Sequence, residues 1–392
     1  MPPLDGRRIW FVGIGGAGLS GYALLARAWG ATVGGWDRVE TPYLRALAGV
    51  LVEIAAEPVV PEGWDEVVVS TAYRDQVSGQ PRAELLAELV AGQRSIVVAG
   101  AHGKTTTSAM VAYCLDRLGD DPAFLIGGEV PQLGGNARAG KGWLVAEGDE
   151  SDRTLAALRP EIAVLTNVDL DHHTEFSSRA EVEALFEEWL RASPVAVRGD
   201  DLEPVSFELA VAGEHNRRNA AAALAAVEAA GYEREPAERA LAEFSGVGRR
   251  LERRGEAAGV EVIDSYAHHP AELAADIAAA RNGGRVLALF QPHLYSRTRH
   301  LAREFGRALA GADAVAVTEV YRAREDPVPG VTGKLIADAV VDARPGMEVA
   351  WTPEIADGAR FLVRRARAGD RILTLGAGDV DAAVPLILEA LA

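Results

Sequence analysis

A glycine-lysine turn, Ala99-Gly-Ala-His-Gly-Lys-Thr-Thr-Thr107, sits between the apolar run Ser95-Ile-Val-Val-Ala99 and a helical pattern running from Thr105 to Leu118. That order is what a phosphate-cradling loop needs. Backbone N–H groups at the helix start meet phosphate oxygens, a lysine neutralises charge on the terminal phosphates, and a threonine hydroxyl ligates Mg²⁺. Gly100, His102, Gly103, Lys104, Thr105 and Thr106 are accordingly candidate contacts to a nucleoside triphosphate, with Lys104 at the chemical step and Thr105 on the metal. Strict Walker spacing puts a glycine where Val98 stands, so the loop is a shortened variant.

A second glycine turn, Gly13-Ile-Gly-Gly-Ala-Gly-Leu-Ser20, directly follows the apolar strand Ile9-Trp-Phe-Val12 and suits a nucleotide diphosphate or a dinucleotide. Asp37 closes the next strand about twenty residues on, where the ribose-binding acid of a nicotinamide enzyme sits, so a dehydrogenase is a competing reading of this motif. Two further stretches combine carboxylate and imidazole. Glu147-Gly-Asp-Glu-Ser-Asp152 follows the strand Trp143 to Ala146, and Thr166-Asn-Val-Asp-Leu-Asp-His-His173 follows the strand Ile162 to Leu165. Hard oxygen donors beside a phosphate loop are what Mg²⁺ requires; the plainer reading is a pair of solvated turns. Arg249-Arg250, Asp264-Ser-Tyr-Ala-His-His-Pro270 and Gln291-Pro-His-Leu-Tyr-Ser-Arg-Thr-Arg299 concentrate Arg and His in the last third, where they suit anion recognition.

What must position these residues is an alternation of β-rich apolar runs with longer Ala/Leu-rich helical patterns, the signature of parallel sheets with crossover helices. The class is α/β. The pattern restarts at Arg8, Ser95 and Val260, which divides the 392 residues into three domains: 1–92, Rossmann-like; 93–247, P-loop ATPase-like; and 248–392, Rossmann-like. In the last domain strands are expected at Glu261 to Asp264, Arg285 to Phe290, Ala314 to Thr318, Met347 to Ala350 and Arg371 to Leu375. Ligands of open α/β sheets gather at strand carboxyl ends, which places Asp264, Gln291 to Arg299 and Gly376 to Asp379 at expected contact positions.

Composition narrows the partners. With 57 acidic and 40 basic residues the net charge is -17, a field that repels nucleic acid and anionic membranes, so small molecules are the expected partners. An anionic nucleotide must then be met by local helix N-termini, a few cations and a metal. Cys114 is the one cysteine and lies in the apolar helical run Met110 to Leu118, as a buried, inert thiol would. Met1 to Arg8 shows no signal-peptide pattern and no apolar run is long enough to span a bilayer, so a cytoplasmic location without membrane contact is expected.

Taken in order, these motifs resemble the Mur ligases over nearly the whole chain. Those that carry the resemblance are Phe11-Val-Gly-Ile-Gly-Gly-Ala-Gly18, Ala99 to Thr107, Ile126-Gly-Gly with Gly135-Asn-Ala, Glu147 to Asp152, Thr166-Asn with Asp171-His172, His215-Asn216 with Asn219, Asp264 to Pro270, Gln291 to Thr298, and Leu375-Gly-Ala-Gly-Asp379. The resemblance implies an enzyme that uses ATP and Mg²⁺ to turn a sugar-linked carboxylate into an acyl phosphate and join it to an amino acid. The Gln-Pro-His-x-Tyr-Ser-Arg-Thr run favours the branch that joins L-alanine to UDP-N-acetylmuramate over the branch that recycles murein peptide. It further implies that Gly15, Gly16, Ala17 and Gly18, with Ser20 and Asp37 nearby, face the nucleotide sugar. By the same carry-over, Glu147 and His172 are metal ligands joining Lys104 at the reaction centre, and Asn216 and Asn219 lie on the adenine side. Arg250 and Asp264 reach ATP from the last domain, and His268, His293 and Arg297 form the substrate end.

The chain also departs from the family pattern. Leu294 stands where an arginine is usual, Trp36 stands before Asp37 where a serine is typical, and Ala56-Glu57 replaces Gly-His. The stretch from His173 to His215 is short, so part of the middle domain's peripheral sheet is expected to be absent, and a nucleotide-binding paralogue without activity is a further reading. Closure about Val90 to Arg94 and Ser245 to Arg250 is expected, since an acyl phosphate must be kept from water. Monomer and homodimer both remain open.

Overall fold

The computed structural model describes residues 4–150, 154–169, 176, 178–281, 284–323 and 325–392, with the side chains of Ala17, Pro42 and Thr154 outside that description. Its first elements are β1 (Arg8–Val12), α1 (Ala17–Ala28), β2 (Thr32–Asp37), β3 (Leu51–Ile54), β4 (Glu66–Val69), β5 (Gln80–Pro81) and α2 (Arg82–Ala91). They form a parallel sheet of order β3-β2-β1-β4-β5. The glycine turn after β1 therefore opens at the carboxyl edge, beside the end of β2.

Next come β6 (Ser95–Ala99), α3 (Lys104–Arg117), β7 (Ala123–Val130), β8 (Gly135–Arg138), β9 (Leu144–Glu147), β10 (Ile162–Leu165), α4 (Arg179–Arg191), β11 (Val195–Arg198), α5 (Glu214–Ala229) and α6 (Arg234–Ala242). The sheet order is β11-β10-β6-β9-β7-β8, parallel except where β8 returns along β7. Every residue of β6 is buried, which is why this strand reads as an unbroken apolar run: a central parallel strand is covered on both faces. α3 is buried from Thr105 through Leu115, and burial pushes the Cys114 thiol up to about 12, making it an unreactive core group. Between Arg198 and Glu214 no strand occurs among the described residues, in keeping with the shortened stretch noted in the sequence.

The last elements are β12 (Glu252–Ala257), β13 (Val260–Ser265), α7 (Pro270–Ala280), β14 (Val286–Phe290), α8 (Tyr295–Leu309), β15 (Ala314–Val317), α9 (Lys334–Ala343), β16 (Glu348–Trp351), α10 (Ile355–Val363), β17 (Arg371–Leu375) and α11 (Ala383–Leu391). The sheet order is β12-β13-β17-β14-β15-β16, with β12 antiparallel to β13 and the rest parallel. All five strands expected here are present. β12 was not anticipated, because an edge strand with the sequence Glu-Arg-Arg-Gly-Glu-Ala lacks an apolar run to betray it.

Packing separates the chain into two compact units, residues 1–211 with 216–247, and 212–215 with 248–392. The first two sheets share one unit and one continuous apolar core, to which β1, α1 and α2 contribute Phe11, Leu25 and Leu89 while β6, β9 and α4 contribute Val97, Leu144 and Phe186. The expected break at Val90 to Arg94 thus divides sheets within one packed body, whereas the expected break at Ser245 to Arg250 coincides with the boundary between units. Among the described residues no helix is long and apolar enough to cross a membrane.

Candidate active site

The phosphate loop leaves β6 at Gly100 and enters α3 at Lys104. Register places Glu147 of β9 beside Val98 and Leu165 of β10 beside Ala99, so the residues following both strands flank the loop. Gly103 holds φ at +79°, and a β-carbon there would stand 2.3 Å from Asn219 Oδ1 on α5. The position demands glycine twice over, for its left-handed backbone and for the close approach of the asparagine. The Asn167 side chain takes the His102 N–H at 2.9 Å and donates to the His102 carbonyl at 2.9 Å, and the Thr166 hydroxyl donates to the same carbonyl at 2.7 Å. The loop is therefore held from the β10 side before any ligand arrives.

Lys104 Nζ donates to the Gly100 carbonyl at 2.6 Å and lies 3.1 Å from both carboxylate oxygens of Glu150. Burial works against the ammonium, yet Glu150, Asp149 and Glu147 outweigh it and hold the Lys104 pKa above the ordinary lysine value. Glu150 has a side chain only 4% exposed and was not singled out from its acidic run by the sequence. Glu147 accepts from the Thr105 hydroxyl at 3.1 Å and from the Gly127 N–H at 2.5 Å. His102 Nε2 stands 3.6 Å from Asp169. His172, expected at the reaction centre and on the metal, lies outside the described residues, as do Asp171 and His173. Asn216 and Asn219 are buried neighbours on α5, their carboxamides 3.4 Å apart, and Thr106 is buried on the first turn of α3.

In the first sheet, α1 starts at Ala17 with no side chain capping its N-terminus and no acid in its first turn. Those N–H groups point where an anion would lie. Asp37 sits under the turn. Its carboxylate accepts the Gly15 N–H at 2.7 Å and the Arg38 N–H at 2.7 Å, while the Thr41 hydroxyl donates to the Gly15 carbonyl at 2.7 Å. Both carboxylate oxygens thus brace the backbone, which accounts for an acid at this position without a nicotinamide ribose. Gly16 caps α1, Gly18 lies in its first turn, and Ser20 is buried one turn in. Arg82, at the start of α2, has its guanidinium 2.9 Å from where a β-carbon on Gly18 would stand and 3.8 Å from Asp149, a cation beside the turn that belongs to no motif of the sequence.

In the last sheet it is Arg249, not Arg250, that engages Asp264. Its Nε donates to Asp264 Oδ2 at 2.8 Å, and its terminal nitrogens donate to the Gly376 and Gly378 carbonyls at 2.8 and 2.9 Å. Asp264 is fully buried and also accepts from Thr374 at 2.5 Å; burial raises its pKa against the opposing pull of Arg249. Arg250 stands 3.7 Å from Glu272 and over the Tyr266 ring. His268 packs edge-on against Tyr266 and 6.0 Å from the His293 ring, and His293 stacks on Tyr321. Tyr321 had not been singled out in the sequence. Arg297 is half-buried on the first turn of α8, and Leu294 holds a left-handed backbone at that helix's N-cap.

Three α/β sheets, the middle one carrying a lysine-bearing phosphate loop flanked by strand-end carboxylates, define a nucleotide-binding architecture. The Mur ligase middle-domain pattern matches residues 98–197, and the Mur ligase glutamate ligase domain pattern matches residues 249–378. The UDP-N-acetylmuramate--L-alanine ligase of Nocardioides sp. is 41% identical over 436 aligned positions, covering 97% of this chain and 95% of that protein. The enzyme of the same name from Streptomyces griseus is 40% identical, covering 100% and 98%. Among solved structures, the UDP-N-acetylmuramate-alanine ligase MurC of Thermotoga maritima superposes with a TM-score of 0.78 at 27% identity, covering 97% of this chain and 98% of that one. The chain belongs to the Mur ligase family.

Proposed function

We propose that the chain is an ATP-dependent ligase that joins L-alanine to the carboxylate of UDP-N-acetylmuramate through an acyl phosphate. Full-length identity of about 40% to ligases bearing that name supports the substrate pair, and the half-buried Lys104, where the phosphate loop enters α3, is the single observation that carries the chemistry. A carboxylate is a poor acyl donor in water. Transfer of a phosphoryl group to one of its oxygens makes the carbonyl attackable by an amine, and the charge that builds on the transferring oxygens is stabilised by Lys104 and the loop N–H groups. The amine must attack unprotonated.

The donor set suits a magnesium ion: Thr105 Oγ1 and the Glu147 carboxylate are hard oxygens in mutual contact beside the loop. They are the described residues that would hold it, with His172 as the remaining expected ligand. When bound, the ion supplies charge neutralisation for the triphosphate. In this reading residues 1–92 bind the UDP moiety at the uncapped start of α1, 93–247 bind ATP, and 248–392 supply Arg250 and Asp264 toward ATP, with Arg249 bracing Asp264, and His268, His293 and Arg297 toward the amino acid. A cytoplasmic location and a monomer or homodimer belong to the same proposal. Phosphate release measured with each component omitted in turn tests it. Release requiring both UDP-N-acetylmuramate and L-alanine is the expected result, and tight ATP binding without such release would reject it in favour of an inactive paralogue.

A further inference from the structure

The turn between β13 and α7 carries Tyr266, His268 and His269, and α7 grips it with two carboxyl groups one helical turn apart, on the same helix face. The first is Glu272, which accepts the His268 N–H at 3.0 Å and the His269 N–H at 3.2 Å and closes a capping box. The second, Asp276, is buried and accepts from Ser265 Oγ at 2.5 Å, while that same hydroxyl accepts the Ala267 N–H at 3.2 Å. No ion pair reaches Asp276 among the described residues. A buried carboxyl with one neutral partner is a costly way to fill space. Its one contact is spent on the hydroxyl that ties the turn's own backbone.

We propose that Asp276 is a positioning residue for the ligation: through Ser265 it sets the turn that carries His268, and so the hold on the amino-acid substrate. This rests on the reading that places His268 at the amino-acid end. His268 Nδ1 is already tied to the Tyr266 carbonyl at 3.0 Å, and its ring neighbours are Tyr266 and His293. A turn released at Ser265 shifts His268 against both. Ser265 and Asp276 act as one unit, since neither makes the link without the other.

The test uses the full-length enzyme and its variants Asp276→Ala, Asp276→Asn, Ser265→Ala, the double Asp276→Ala/Ser265→Ala, and His268→Ala, with kcat and the three KM values measured for each. Misplacing a positioned group by a fraction of an ångström predicts an L-alanine KM raised about 10-fold in Asp276→Ala and Ser265→Ala, with the ATP KM within about 2-fold of wild type. Asp276→Asn keeps an oxygen acceptor for Ser265 and restores the alanine KM to within about 3-fold, and the double variant is no worse than the single ones. A raised alanine KM in His268→Ala with none in Ser265→Ala or Asp276→Ala overturns the inference, whereas an unchanged alanine KM in His268→Ala rejects the placement of His268 itself. Should Asp276→Ala fail to fold, Ser265→Ala and the Asn rescue decide the matter, and equal effects on all three KM values overturn it.

Discussion

Burial disfavours the charged form of Lys104, and Glu150, helped by Asp149 and Glu147, more than offsets it. The pair is preorganised: the ammonium is already turned into the loop by the Gly100 carbonyl, so little reorganisation is needed when phosphate arrives. Lys104→Ala is therefore expected to lower turnover by at least about 10²-fold, and to cost roughly 3 kcal/mol of stability because Glu150 is left buried without its cation. Circular dichroism and thermal unfolding beside the phosphate-release assay check both halves, and retained turnover would remove the loop lysine from the mechanism. Lys104 was legible because glycine-lysine-threonine before a helix has one economical use. Glu150 was not, since the run Glu147-Gly-Asp-Glu-Ser-Asp152 offers several carboxylates and Glu150 lies past the end of β9, where strand alternation no longer says which side chain turns inward. Arg249 and Arg250 pose the same difficulty. Adjacent arginines look alike in sequence, and a left-handed backbone at Arg249, φ +57°, accompanies its turn toward Asp264.

At the scale of elements, the buried parallel strands β6, β10, β13, β14 and β17 were readable as apolar runs because both their faces are covered. Edge strands β3 and β12 were not: half their residues meet solvent, and no periodicity separates them from loops. The loop between β6 and α3 ties its shape to α5 through Gly103, so Gly103→Ala must both strain a left-handed backbone and displace Asn219. A rise in ATP Kd of about 10-fold or more is expected from calorimetry, and unchanged affinity would show that the loop tolerates the shift. α7 makes a prediction about pH. Burial pushes the Asp276 carboxyl up from 3.8 to about 7 against the opposing Ser265 hydrogen bond, with Glu272 on the same helix raising it further and Arg250 lowering it. The native state thus binds this proton more tightly than the unfolded chain does. Its stabilising contribution is complete below about pH 4 and is lost as pH rises toward 7. Asp276→Asn removes the titration, so its melting temperature relative to wild type is expected to climb between pH 5 and 7 and level off above. A constant offset across that range would contradict it.

The whole molecule combines a net charge of -17 with substrates that are themselves anionic in the proposed reaction. Global electrostatics then works against binding, and in the proposed reading the work falls to local devices: the uncapped start of α1 with Arg82 beside it and the phosphate loop with Lys104. The order of motifs made the family legible along the full chain, because the glycine-lysine loop, the acidic run after β9 and the runs after β10, β13, β14 and β17 each follow a strand's carboxyl end, and whole βα units set the spacing between them. Packing was less so. Nothing in the composition of Val90 to Arg94 reveals that the first two sheets merge into one core. The account turns on a carboxylate oxygen attacking the terminal phosphorus of ATP, and isotope transfer reads that step directly. UDP-N-acetylmuramate labelled with ¹⁸O in its carboxylate, turned over with ATP and L-alanine, is predicted to give phosphate carrying one labelled oxygen per amide formed. Unlabelled phosphate, or label appearing in AMP, would contradict it.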